Sequence, residues 1–126
     1  MLALVIDDSR AMRKVISRIL TDCGFEVLDA GDGQQALDVL DTCDPLPDIA
    51  LIDWNMPVMD GLTFIKTVRG RDDLRDISLM MVTTESEHSQ IVRALAAGAH
   101  EYLLKPFGAD ALMDKLSLLG LDPASV

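Results

Sequence analysis

Five times along the chain a short strand-like run is followed by a stretch with helical periodicity, and this alternation restricts the fold more than any single motif does. The strand-like runs occupy residues 2–6, 26–30, 49–52, 78–82 and 101–104; the helical stretches occupy 9–22, 34–40, 61–68, 86–97 and 109–119. Antiparallel neighbours can be joined by a tight hairpin, whereas parallel neighbours need a long crossover. A helix between successive strands therefore predicts βαβ units and a parallel sheet. Right-handed crossovers then put helices on both faces, giving an α/β three-layer sandwich. The run at 49–52 is unbroken Ile-Ala-Leu-Ile between Pro47-Asp48 and Asp53, as expected of a strand buried on both faces.

In the first helical stretch Met12, Val15, Ile16, Ile19 and Leu20 share one face, with Ser9 as N-cap and Gly24 just past the C-terminus. Arg10, Arg13, Lys14 and Arg18 form a stripe on the opposite side, which reads as a solvated face, with docking of a reaction partner as the alternative. Leu62, Ile65 and Val68 turn inward in the third helix, and Leu112, Leu116 and Leu119 in the fifth. The seven methionines, Met80-Met81 among them, read as core filler.

The 126 residues, 49% hydrophobic, suit a single domain over residues 1–120, with 121–126 as a tail or the start of a linker. Mean hydropathy of +0.24 argues against disorder. A net charge of −10 argues against a grip on nucleic acid, which Lys and Arg drive. The first six residues are apolar but lack a basic leader and run straight into Asp7-Asp8. No apolar run approaches the ~20 residues that span a bilayer, so a cytoplasmic location is expected. Cys23 and Cys43 stand without a Cys-x-x-Cys or His-rich context and are read as reduced, structural thiols.

Polar residues collect where the strands end. Asp7-Asp8 follow the first strand, Asp53 the third, Thr83 the fourth and Lys105 the fifth. The carboxyl ends of parallel strands share one edge of the sheet, where ligands of open α/β sheets bind. Three carboxylates, a hydroxyl and an ammonium are thus brought to one place. Carboxylates so crowded repel; a hard divalent cation relieves them, and Mg²⁺ suits a site offering few protein oxygens plus waters and a phosphoryl group. The Lys and the Thr can take the remaining phosphoryl oxygens, leaving a carboxylate as acceptor in an acyl phosphate. Asp53, alone on the central strand and flanked by the others, is the expected nucleophile.

Asp7-Asp8, Asp53, Met56-Pro57, Asp60-Gly61, Thr83 and Lys105-Pro106-Phe107, in this order and spacing, resemble the receiver domains of two-component response regulators over residues 2–119. Asp53-Trp54-Asn55-Met56-Pro57, with Tyr102 and Lys105-Pro106-Phe107, is similar to the single-domain, CheY-like members that serve chemotaxis. The resemblance implies a flavodoxin-like sheet of strand order 2-1-3-4-5. It implies phosphoryl transfer to Asp53 from the phosphohistidine of a sensor histidine kinase or a histidine phosphotransfer protein. Mg²⁺ would be held by Asp8, Asp53 and the backbone carbonyl of Asn55, with Asp7 acting through water. Lys105 would neutralise Asp7 and Asp53 at rest and then bind a phosphoryl oxygen.

Thr83 would move toward the phosphoryl group and Tyr102 into the space it vacates, which is what makes such a domain a two-state switch. Asn55 and Glu85, two residues beyond Asp53 and Thr83 respectively, would set a short phosphate lifetime. Thr84 departs from the CheY-like alanine but remains small. The face of the fourth helix, fifth strand and fifth helix would carry the signal to a downstream protein or output domain, from a monomer or a phosphorylation-dependent dimer. The Lys105-Pro106 bond would be cis. Catalysis would be limited to self-phosphorylation from small donors and autodephosphorylation, so the chain is expected to be a switch and not an enzyme.

Two other readings stand beside this one. A haloacid-dehalogenase-like phosphatase also uses an aspartyl phosphate, Mg²⁺, a Thr or Ser and a Lys. It wants a second acid two residues after its nucleophile, where Asn55 stands, and a substrate cap for which this chain has no room. A pseudo-receiver that binds partners without phosphorylation would have no use for the complete acid, Thr and Lys set.

Overall fold

The computed structural model describes residues 1–84 and 88–122. In chain order these form β1 (Leu2–Ile6), α1 (Arg10–Asp22), β2 (Glu26–Ala30), α2 (Gly33–Thr42), β3 (Ile49–Asp53), α3 (Gly61–Arg69), β4 (Ser78–Thr84), α4 (His88–Ala97), β5 (Glu101–Lys105) and α5 (Ala109–Leu118). All strand pairs are parallel, in the order β2-β1-β3-β4-β5. The flavodoxin-like sandwich is therefore observed.

Alternation along the strands divides the core in two. Leu4, Ile6, Ala50, Ile52, Leu79 and Met81 meet Ala36 and Leu40 of α2, Phe64, Ile65 and Val68 of α3, and Ile91 and Ala94 of α4. Ala3, Val5, Ile49, Leu51, Met80 and Val82 meet Ile16 and Leu20 of α1 and Leu112 and Leu116 of α5. β3 lies in the middle of the sheet and is buried along its whole length. Each such Leu or Ile, fully buried, contributes about 1.5–3 kcal/mol relative to an exposed one.

Helix ends follow local chemistry. The side chains of Ser9, Asp32 and Asp60 accept hydrogen bonds from the amides of Met12, Gln35 and Thr63 and so cap α1, α2 and α3. Gly24, at φ +103, closes α1: its amide donates to Thr21 O while the amide of Phe25 donates to Leu20 O.

Several boundaries differ from the periodicity. β3, β4 and β5 continue past their apolar runs, so Asp53, Thr83, Thr84 and Lys105 belong to the strands. The polar segment 70–76 contains a 3-10 turn, Asp72–Leu74, because Leu74 is pulled into the core on the α2–α4 side. The expected start of the fourth helix at 86 lies outside the described residues. On α1, Val15 is 52% exposed and not on the buried face. A helix resting on a sheet buries a narrow stripe, here Ile16 and Leu20 with Met12 and Ile19 half-covered, and Val15 lies beyond its margin.

Lys105-Pro106 is cis, as is Asp44-Pro45. Cys23 and Cys43 are free thiols. No helix among the described residues is long and apolar enough to cross a membrane.

Candidate functional site

Strand register sets Val5 beside Leu51 and Ile6 beside Ile52. The next residues, Asp7 and Asp53, therefore stand side by side at the carboxyl edge of the sheet. Leu103 of β5 faces the α1–α5 side with Val5 and Leu51, and Lys105, two residues on, shares that direction. Its ammonium reaches past β4 to both acids, with Nζ 3.1 Å from Asp7 Oδ2 and 3.3 Å from Asp53 Oδ1. Asp8 is exposed beside them, and one carboxylate oxygen from each of Asp7, Asp8 and Asp53 lies within 4.8 Å of the others.

Asp7 is only 2% exposed and is fastened on several sides. Its Oδ1 accepts the Ser9 amide at 2.8 Å, and its own amide donates to Ala30 O of β2 at 3.1 Å. Its carbonyl accepts from Arg13 Nη1 at 2.6 Å, while Arg13 Nε pairs with Asp29 at 3.0 Å. Arg13, assigned by helical periodicity to a solvated stripe, is instead a strut joining α1 to the ends of β1 and β2. Nothing in the sequence marks it, because its partners are a backbone carbonyl and a residue on another strand.

Burial, and after it the charge of Asp7, push the Asp53 carboxyl up to about 6 against the pull of Lys105. Lys105 moves the other way from its burial: desolvation would lower it, but Asp53 and Asp7 outweigh that and hold it above its usual value. The ammonium touches two of three acids and leaves net negative charge at the site. This set of hard oxygen donors fits a divalent cation such as Mg²⁺.

The turn after β3 is held close. The Gly61 amide donates to Trp54 O at 3.0 Å, and a Cβ at Gly61 would stand 2.5 Å from Asp53 O, so a side chain there would displace the acid's own backbone. Met59 O accepts the Gly33 amide at 3.2 Å, tying this turn to the start of α2. Asn55, the proposed carbonyl donor and lifetime residue, is exposed in the same turn.

Thr83 is fully buried, and strand alternation assigns it to the same sheet face as Leu79 and Met81. Tyr102, in register with Met81, is half-buried against the same side. Thr84 is exposed and in register with Lys105. Glu85 lies outside the described residues. The structure brings Asp7, Asp8, Asp53 and Lys105 into one cluster, while Thr83 and Tyr102 lie on the neighbouring strands β4 and β5. Two residues attend Tyr102: Glu101, a neighbour on the same expected output face, and Lys115, which the sequence does not single out. Glu101 Oε1 accepts the Tyr102 amide at 3.0 Å and pairs with Lys115 Nζ at 2.9 Å, and that ammonium stands 4.6 Å from the Tyr102 ring centre.

Comparison with known proteins agrees with this geometry. Residues 3–117 match the family model of the response regulator receiver domain. Chemotaxis protein CheY1 of Helicobacter pylori is 38% identical over 117 residues, covering 92% of this chain and 94% of that protein. The chemotaxis protein CheY homolog of Campylobacter jejuni is 40% identical over 114 residues, covering 90% and 87%. Among solved structures, the chemotaxis response regulator CheY4 of Vibrio cholerae superposes with a TM-score of 0.85 at 35% identity, covering 94% of this chain and 97% of that one. The receiver domain of the sensor histidine kinase PA1611 of Pseudomonas aeruginosa, which has a magnesium ion in its active-site cleft, gives 0.82 at 26% identity, covering 93% and 94%.

Proposed function

The chain belongs to the response regulator receiver family, and from that premise we propose that Asp53 is its phosphoacceptor. A receiver is a phosphorylation-activated signalling switch, and so is this chain. The observation that carries the assignment of Asp53 is the bridge from Lys105 to Asp7 and Asp53 at 3.1 and 3.3 Å, with an oxygen of Asp8 close by.

In the proposed reaction an Asp53 carboxylate oxygen attacks the phosphorus of a phosphohistidine. The P–N bond breaks, its electron pair returns to the imidazole, and an acyl phosphate forms on Asp53. Lys105 keeps its proton throughout and transfers its contact from the Asp53 carboxylate to a phosphoryl oxygen. Asp8, Asp53 and the Asn55 carbonyl, with Asp7 through water, would hold Mg²⁺, which when bound neutralises the acids and the phosphoryl oxygens. The Thr83 hydroxyl turns to the phosphoryl group and Tyr102 follows it inward. Asn55 and Glu85 flank the acyl phosphate and shorten its life, and small Thr84 leaves room for it.

The donor is a histidine kinase or a histidine phosphotransfer protein. The α4–β5–α5 face carries the output to a downstream protein or output domain. Likeness to chemotaxis proteins over about nine-tenths of the chain supports a cytoplasmic role in chemotaxis. Incubation with Mg²⁺ and a small acyl phosphate, followed by intact-protein mass measurement, tests the chemistry. Gain of one phosphoryl group that is absent from Asp53→Asn is expected. No gain would favour a pseudo-receiver, and a gain retained in Asp53→Asn would defeat the assignment.

A further inference from the structure

Tyr102 is gripped at both its backbone and its ring. The Glu101 carboxylate accepts the Tyr102 amide at 3.0 Å and, through the same oxygen, the Lys115 ammonium at 2.9 Å. That ammonium stands 4.6 Å from the centre of the Tyr102 ring. The Glu101 and Lys115 side chains are only 19% and 26% exposed, so the pair is less screened than ion pairs in open water. Lys115 comes from α5 and Glu101 from the first position of β5, so the arrangement also ties the edge strand to its helix.

We propose that Lys115, held in place by Glu101, is a positioning residue that secures Tyr102 in the unphosphorylated arrangement and so sets how readily the domain switches. The proposal rests on the reading of Tyr102 as the switch residue. The Lys115–Tyr102 contact coexists with the pairing of Lys105 to Asp7 and Asp53, the pairing that a phosphoryl group on Asp53 would break, so the grip on Tyr102 accompanies that arrangement. A ring that leaves Lys115 forfeits its contact with the cation. Such contacts are worth a factor of about 2 to 30 in an equilibrium. A factor of that size on one side of a two-state balance reappears in the apparent affinity of any ligand that selects the other side.

Tyr102 is the single tyrosine and Trp54 the single tryptophan, so both can be followed without ambiguity. Trp54 adjoins Asp53 and is buried, which makes its fluorescence a reporter of the site. Beryllofluoride with Mg²⁺, a mimic of the phosphorylated state, is titrated into the full chain and into Lys115→Met, Lys115→Arg, Tyr102→Ala and Tyr102→Ala/Lys115→Met, while the ring resonances of Tyr102 are recorded by NMR. Lys115→Met is expected to tighten beryllofluoride binding about 2- to 10-fold and to move the Tyr102 ring resonances. Lys115→Arg keeps a cation over the ring and should restore the wild-type affinity. In the Tyr102→Ala background the Lys115→Met effect should vanish. Unchanged ring resonances in Lys115→Met, or the same tightening with Tyr102 absent, would overturn the positioning role. Ring resonances that move with no change in affinity would overturn it differently, by removing Tyr102 from the switch while leaving Asp53 as acceptor untouched.

Discussion

Asp53 carries its charge at a cost. Burial and Asp7 raise its carboxyl to about 6 from an ordinary 3.8, so between those values the folded chain binds a proton that the unfolded chain releases. Stability from this group is accordingly lost as pH rises from about 4 to about 6, and the deficit is constant above that window. A shift of this size corresponds to at most roughly 3 kcal/mol, reduced by the screening of water at the open side of the site. Asp53→Asn removes it but deprives Lys105 of one of its two carboxylates. In metal-free buffer at pH 7.5 the substitution should therefore raise the unfolding free energy by about 1–2 kcal/mol, a gain that fades toward pH 4. Denaturant titration at both pH values checks the sign. Val58 invites a second substitution. It sits at φ +67 and is 83% exposed in the turn after β3, a left-handed conformation that a β-branched residue holds against a penalty of about 1–2 kcal/mol. Asn tolerates that conformation, so Val58→Asn should raise the melting temperature, with a gain of about 0.5–1.5 kcal/mol measured by thermal unfolding. At this scale the acids and the lysine were legible because they interrupt apolar runs. Arg13 and Val58 were not, because periodicity assigns a face and says nothing of a distant carbonyl partner or a backbone angle.

Elements are joined at the opposite edge of the sheet by Arg69, the last residue of α3. Its guanidinium donates to Gly98 O at 2.9 Å and to Arg75 O and Ile77 O at 3.0 Å each, and contacts His100 Nδ1 at 3.0 Å. The Leu79 amide also donates to that ring nitrogen, at 3.1 Å, so Nδ1 is the unprotonated one. One side chain thus ties α3 to the end of α4 and to the starts of β4 and β5. Gly98, at φ +123, is shaped to admit it: a Cβ there would lie 2.5 Å from Arg69 Cγ. Arg69→Met leaves three carbonyls short of a donor and should cost about 2–4 kcal/mol in denaturant unfolding. Arg69→Lys should recover little of that, since an ammonium cannot span the same fan of acceptors. The acyl phosphate should still form below the melting transition, because this fastening is remote from Asp53. Sequence made the order and faces of the elements plain through periods of 2.0 and 3.6. It hid this tie, because an Arg at a helix end has the pattern of a solvated residue. The strands outrun their apolar patterns for a related reason: Thr83 and Lys105 stop an apolar run but not the backbone ladder.

For the molecule as a whole, parallelism alone was enough to send the polar strand ends to one edge, and so the site was legible before the strand order was. Which groups touch depends on that order. β1 next to β3 brings Asp7 to Asp53, and β5, two strands from β3, requires a side chain as long as Lys105 to reach them. Periodicity carries no information on strand order; only the family resemblance did. The same edge gathers acids in a chain already at net charge −10, so any cation should stabilise it by screening self-repulsion. A cation bound at Asp7, Asp8 and Asp53 should do more, by mass action on the folded state alone, reaching about 2.7 kcal/mol when free ion is 100 times its dissociation constant. The two effects separate at matched ionic strength. MgCl₂ should raise the melting temperature beyond NaCl, and Asp8→Asn should abolish that excess while leaving the NaCl response in place. Asp8 is exposed, so its loss removes a ligand without opening the core. An equal response to the two salts in the unaltered chain would mean that the acids attract cations only as a diffuse cloud, and the proposed metal site would fall with it.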